Sequence, residues 1–302
     1  MFSTKILQNN YNIIVTNKIM LELTLIIITL IIFCIAAYVD VRTLEVPDWL
    51  NFSGIAAGLG IHIIYSLQQW AWWPILSSII GFAIGFGIAC LMFYTAQWGG
   101  GDAKLLMAAG ALIGFEPNKF SFGADFLINL VIFGAIWGLL FTFFLAIKNH
   151  KKFWRTFKAL RHQKQYFRLR LLSIIVTSIL IIFAIIMPLF QLEIILLAVI
   201  VYLTNHLIVF VKSTELVGMY HWLTPDKLVE GDWLVHDIKI GKLNVSKQKL
   251  GLEKKELSLL QKLYKQKKID KILVRYGVPF TPAFLLAFVS AVIFGNIIFA
   301  FI

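Results

Sequence analysis

The sequence predicts an all-α polytopic membrane protein of about eight transmembrane helices with a small α+β cytoplasmic domain. Three observations carry this. Of 302 residues, 59% are hydrophobic and only 15% charged, and the mean hydropathy of +0.81 lies well outside the range of soluble chains. The apolar residues gather into runs of about 20, the length that crosses a bilayer. The net charge of +12 is concentrated in two blocks, Lys148 to Arg170 and Lys212 to Arg275. Basic blocks between apolar runs follow the positive-inside rule and exclude a nucleic-acid binder. Cys34 and Cys90 both lie in apolar runs without CxxC spacing, so neither a disulfide framework nor a cysteine zinc site is expected.

The first element is an N-terminal segment, 1–19, mixed in polarity. The run from Ile19 to Val39 is longer than a signal-peptide core and reads as a retained first span rather than a cleaved leader. A polar junction, Asp40 to Trp49, comes next, in which Asp48 after Pro47 is placed to cap the second helix. That helix runs from Trp49 to Leu67 and ends at the interfacial aromatics Trp70, Trp72 and Trp73. A third span extends from Pro74 to about Thr95, a fourth run covers Ala103 to Gly114, and a fifth Phe126 to Ile147. Together, 20–147 form a five-span core. Beyond it come a basic cytoplasmic loop, 148–170, a transmembrane hairpin, 171–212, a small cytoplasmic domain, 213–278, and a last helix, 279–302. In the polar domain, Gly231 to Val235 and Lys239 to Val245 alternate like strands, and Leu257, Leu260 and Leu263 share one helix face. Its positive charge suits a solvated surface and would favour contact with anionic lipid headgroups.

The candidate site lies at Gly99-Gly100-Gly101-Asp102, between the third and fourth runs. Counting back from the basic block at Lys148 places Asp40 and Asp102 toward the same, cytoplasmic face. A helix from Asp102 to Gly114 rises only about 20 Å against a hydrocarbon core of roughly 30 Å. Asp102 therefore starts below the interface if Gly114 reaches the far one. Backbone that breaks at such depth must be buried in protein or line a wet cavity, and three glycines allow close approach of another backbone. An N-cap for the fourth helix is the ordinary role of Asp102. Asp40, at the unfavourable C-terminal end of an apolar helix, has no such explanation. Two carboxylates sharing a proton can hydrolyse an amide, one taking a proton from water and the other protonating the carbonyl oxygen, with no cofactor or metal. Helix dipoles place the shared proton on Asp40.

These residues carry a resemblance. Asp40 with Val46-Pro47-Asp48, then Gly99-Gly100-Gly101-Asp102-Ala103-Lys104 before a short helix, resembles the prepilin peptidase family of GxGD aspartic membrane proteases. Glu230-Gly231-Asp232-Trp233 and Gly277-Val278-Pro279-Phe280-Thr281-Pro282-Ala283-Phe284 are similar to archaeal prepilin and preflagellin peptidases. The resemblance implies a multi-pass enzyme of the cell membrane whose catalytic pair is Asp40 and Asp102, supported by Gly99, Gly100, Gly101, Lys104, Pro47 and Asp48. It would cut the basic leader from pilin-like precursors on the cytoplasmic side of their hydrophobic helix. Many bacterial members also carry paired CxxC motifs and N-methylate the new terminus; neither is expected here. Asp48 stands where the family often has Asn, which would set a third carboxylate near the dyad. The segment 148–212 exceeds the family's six-span core.

Two other readings fit parts of the pattern. Membrane carboxylates and broken helices also mark ion or proton transporters, but both aspartates lie near one face and no inverted repeat is evident. Presenilin-type proteases share the GxGD motif, whereas the early position of the motif and the Pro47 turn favour the prepilin branch. A metal held by Asp40, Asp48 and Asp102 lacks a histidine ligand, since His62 and His206 are isolated within spans.

Overall fold

The computed structural model describes residues 2–117, 121–240, 243–247 and 251–300. The helices are α1 (Phe2–Thr43), α2 (Asp48–Gln69), α3 (Trp73–Tyr94), α4 (Gly100–Ile113), α5 (Phe122–Lys148), α6 (His150–Arg161), α7 (Lys164–Ile186), α8 (Gln191–Thr214), α9 (Lys254–Lys265), α10 (Thr281–Phe294) and α11 (Ile297–Ala300). A π-turn at Glu215–Met219 leads into the short strands β1 (Tyr220–Leu223), β2 (Trp233–Leu234), β3 (Ile238–Ile240), β4 (Leu243–Val245) and β5 (Ile272–Arg275). Contacts divide the chain into two units: Met1–Gly138 with Leu223–Ile272 and Tyr276–Ile302, and Leu139–Trp222 with Leu273–Arg275.

Among the described residues, six helical stretches are long and apolar enough to cross a membrane: Lys18–Thr43, Asp48–Gln69, Trp73–Tyr94, Phe122–Lys148, Lys164–Ile186 and Pro188–Met219. The chain is a polytopic membrane protein. The other two of the expected eight, α4 and α10, have 14 residues each and rise about 21 Å, short of the core thickness. Their apolar composition serves burial against protein. Leu105, Leu106, Ala108, Ala109, Ala111 and Leu112 of α4 are all buried, as are Ala283, Phe284, Ala287, Phe288 and Ala291 of α10.

In the first unit, α4 nests between α2 and α3 with helix backbones in contact. A Cβ on Gly58 of α2 would sit 2.6 Å from the Ala111 carbonyl carbon, and one on Gly85 of α3 2.7 Å from the Leu106 oxygen. Gly81 and Gly110 meet each other in the same way. The hydroxyl of Ser78 donates to the Ala111 carbonyl at 2.6 Å. Glycine's missing side chain is what allows this approach. The rest of the core is side-chain packing: Phe33 of α1 lies 5.4 Å from Phe288 and 5.9 Å from both Phe284 and Phe126, with Leu50, Leu105 and Leu106 beside them.

Several expected segments differ locally. The N-terminal segment from Phe2 continues into α1 as one helix. The basic loop at 148–170 is helical: α6 occupies most of it and α7 starts at Lys164, since its charges alternate with Phe153, Phe157 and Leu160 at helical spacing. The second expected strand, Lys239 to Val245, is the antiparallel hairpin β3–β4, pairing Ile238 with Val245 and Ile240 with Leu243; its turn at 241–242 lies outside the described residues, as does 118–119 of the turn after α4. The predicted helix with Leu257, Leu260 and Leu263 on one face is α9, where Leu260 and Leu263 are buried. The last helix ends early, at Gly295 in the left-handed region (φ 66°).

Candidate active site

Asp40 lies in the last turn of α1 and is 4% exposed. The helix stops because Leu44 adopts the left-handed region (φ 59°), an unusual state for a bulky residue. That turn shortens the link to α2 and lays Val46 on the triglycine. A Cβ on Gly101 would come 3.1 Å from the Val46 nitrogen and 3.2 Å from its Cβ. The nearest atoms to a Cβ on Gly99 or Gly100 are 3.9 Å and 3.8 Å away. The close approach expected of the three glycines therefore rests on Gly101 alone.

The other side of Asp40 is closed by the start of α10. Thr281, 0% exposed, donates twice to Asp40 Oδ2, from its hydroxyl at 2.7 Å and its backbone N–H at 3.0 Å. The backbone of Phe280 adds a further bond. The first turn of a helix has N–H groups without intrahelical partners, and here a carboxylate from another helix satisfies them. The Pro279–Phe280 approach is fixed from three sides. Trp137 Nε1–H donates to the Pro279 carbonyl at 2.7 Å, Trp98 stacks obliquely on Phe280 at 5.3 Å, and Gly134 leaves room for the Phe280 ring, which a Cβ there would meet at 2.7 Å.

Asp102 is the third residue of α4, not its cap; Gly99 takes the cap position. The Asp102 carboxyl accepts a hydrogen bond from the Gly99 N–H, and its charged neighbour is Asp40. Asn51, 0% exposed in the first turn of α2, donates from Nδ2 to the Gly101 carbonyl at 3.3 Å, tying α2 to the motif.

Pro47, also predicted, is the cap residue of α2, and its carbonyl accepts the N–H groups of Leu50 and Asn51. Asp48 is corrected in two respects. It makes no capping bond, and it joins no dyad, because its exposed carboxylate pairs with Lys104 at 2.6 Å. Lys104 thereby ties the first turns of α2 and α4 together. Among the described residues no three His, Cys, Asp or Glu side chains are grouped as a metal would need. His62 is buried and donates from Nδ1 to the Gly58 carbonyl one turn back. Thr281 and Asn51 had no assigned role in the sequence. A hydroxyl two residues after Pro279 and an amide in the first turn of an otherwise apolar helix were the available signals.

Asp40 and Asp102 thus come from different helices, α1 and α4, near the contact of Val46 with Gly101. Residues 27–147, which hold both, match the model of the type IV leader peptidase family. Over 173 residues, 52% of this chain, the sequence is 26% identical to the prepilin peptidase EppA of Methanothermobacter thermautotrophicus, covering 44% of that protein. Over 79 residues, 26% of this chain, there is 38% identity to the preflagellin peptidase of Methanococcus voltae, covering 34% of that protein. The chain spans less than half the length of these curated relatives. No solved structure matches it.

Proposed function

We propose that this protein is a membrane-embedded aspartic endopeptidase that removes the leader from type IV pilin-like or archaellin-like precursors at the cytoplasmic face. The observation that carries the reading is the burial of Asp40 beside Asp102, with one oxygen of Asp40 held by both donors of Thr281. The cytoplasmic placement is supported by Lys148, Lys212, Lys271 and Arg275 near the span ends. The small domain at 213–278 and the basic segment at 148–170 would lie on that side.

In this mechanism Asp40 is the base. Its Oδ2 is occupied as an acceptor, so Oδ1 takes a proton from water while the water oxygen attacks the scissile carbonyl carbon. Asp102 gives its proton to the carbonyl oxygen, which becomes the hydroxyl of a tetrahedral intermediate. Collapse returns that proton to Asp102 and restores the C=O. The proton gained by Asp40 passes to the departing amine as the C–N bond breaks, and the dyad is regenerated. Helix dipoles alone placed the resting proton on Asp40. The donors of α10, brought from 241 residues away, favour the reverse, since hydrogen bonds to a carboxylate stabilise its anion. The reading is of cleavage without methyl transfer, and Cys34 and Cys90, both within spans, carry no paired CxxC spacing.

The test is co-expression with a pilin-like precursor, read by mobility and by the mass of the new terminus. Asp40→Ala and Asp102→Ala are each expected to leave the precursor uncut, and a chelator to leave cleavage intact. Processing at the parental rate by either variant would overturn the aspartic mechanism.

A further inference from the structure

We propose that the exposed basic face of α6 binds anionic phospholipid headgroups. Between Lys148 and Arg170 the sequence carries nine Lys and Arg, and from Phe126 to Leu192 it carries no Asp or Glu at all. Helix α6 sorts these residues by face. Phe153 and Leu160 are buried: Phe153 meets the Phe210 ring of α8 edge-on at 5.3 Å, and Leu160 packs with Tyr166 and Val209. Lys151, Lys152, Arg155, Lys158 and Arg161 are exposed. Among the described residues none of the five forms an ion pair with a carboxylate.

The depth of this face is set by its tethers. Helix α6 is strung between two stretches able to cross the membrane, one ending at Lys148 and the next beginning at Lys164. It packs on Val209 and Phe210, just before Lys212 closes the apolar run of α8. Those neighbours hold it at the headgroup layer, where the exposed indole of Trp154 also belongs. Topology needs only a bias of Lys and Arg near span ends. It does not require five cations on one outward face, none of them in an ion pair with a carboxylate among the described residues. Five unpaired cations at headgroup depth fit phosphate anions, and they repel a basic peptide. Because the apolar face is already spent on α8, the contact is electrostatic rather than insertion, and it weakens with salt.

The test compares lipid retained by the purified full-length protein from mixed micelles holding equal amounts of phosphatidylglycerol and phosphatidylcholine, read by native mass spectrometry. The parent is expected to retain phosphatidylglycerol preferentially. Lys151→Gln, Arg155→Gln and Lys158→Gln together should lower that preference at least tenfold, each charge accounting for about fivefold at low salt. Lys151→Arg with Lys158→Arg should preserve it, as should Lys262→Gln, Lys265→Gln and Lys268→Gln in and just after α9. A thermal midpoint equal to that of the parent shows that the triple variant is folded. Equal retention of both lipids by the parent, parental preference in the α6 variant, or loss of preference in the α9 variant would each overturn the proposal. None of these readouts depends on peptidase activity.

Discussion

Thr281→Val isolates one hydrogen bond at the proposed dyad. Valine keeps the volume of threonine at a site that is 0% exposed, so the perturbation is the loss of the hydroxyl donor 2.7 Å from Asp40 Oδ2. The backbone N–H of Thr281 at 3.0 Å remains. A hydrogen bond to a charged acceptor contributes about 1.5–3 kcal/mol, and an acceptor left unmet in a buried setting favours the upper part of that range. If the bond is needed in the transition state, this corresponds to roughly 10- to 150-fold in kcat/KM. The assay is leader cleavage by purified protein in detergent, with kcat and KM measured separately at matched folded fraction. The loss is expected in kcat with KM little changed, because Thr281 acts through Asp40 and not on the substrate. Thr281→Ser restores the donor and should recover most of the rate. A valine variant within about twofold of the parent would show that the hydroxyl only packs, and would remove the reason for treating Asp40 as the base.

Gly101→Ala brings a Cβ to 3.1 Å from the Val46 nitrogen, so the turn before α2 must shift, and is expected to slow leader cleavage, whereas Gly100→Ala, with only Phe93 nearby at 3.8 Å, should cleave and express like the parent; the same gel assay decides both. Outside the spans, burial raises the carboxyls of Glu45 and Asp232 above their ordinary values, and the Asp232 charge raises Glu45 further. A raised carboxyl contributes stability in its protonated form, present below the ordinary values of 4.5 and 3.8 and lost as pH rises through the folded-state values. The thermal midpoint should therefore fall as pH climbs from about 4.5, and Asp232→Asn should flatten that fall; a parental slope in the variant would exclude the interaction.

The long spans were legible in their apolar runs, and the two aspartates drew notice because a carboxylate or a glycine run stands out against apolar neighbours. The span count was less legible. Leu105, Leu106 and Leu112 of α4 read like lipid-facing residues, yet they are buried among helices, and hydropathy does not distinguish protein from lipid as the apolar surroundings. Thr281 was hidden for a different reason: its partner is 241 residues away, and a threonine at a helix start has an adequate local explanation. Asp48 misled in the same way, since the position after a proline suggests a cap while its ion pair lies 56 residues on. Helix α6 was obscured because nine cations in a short segment dominate its average polarity and mask the period of Phe153, Phe157 and Leu160.

The backbone contacts of Gly58, Gly81, Gly85 and Gly110 make α2, α3 and α4 behave as one jaw, keyed so closely that its parts cannot slide without separating. Asp40 rides on the other jaw, α1 clasped to α10 through Thr281. Between the two lies a layer of side chains, Phe33, Phe284 and Phe288 against Leu50, Leu105 and Leu106, which can change rotamer where glycine-fitted backbones cannot. A change of volume at Phe33 or Leu105 is therefore expected to alter how the two proposed catalytic aspartates meet, alongside the Val46–Gly101 contact, while leaving both carboxylates chemically untouched.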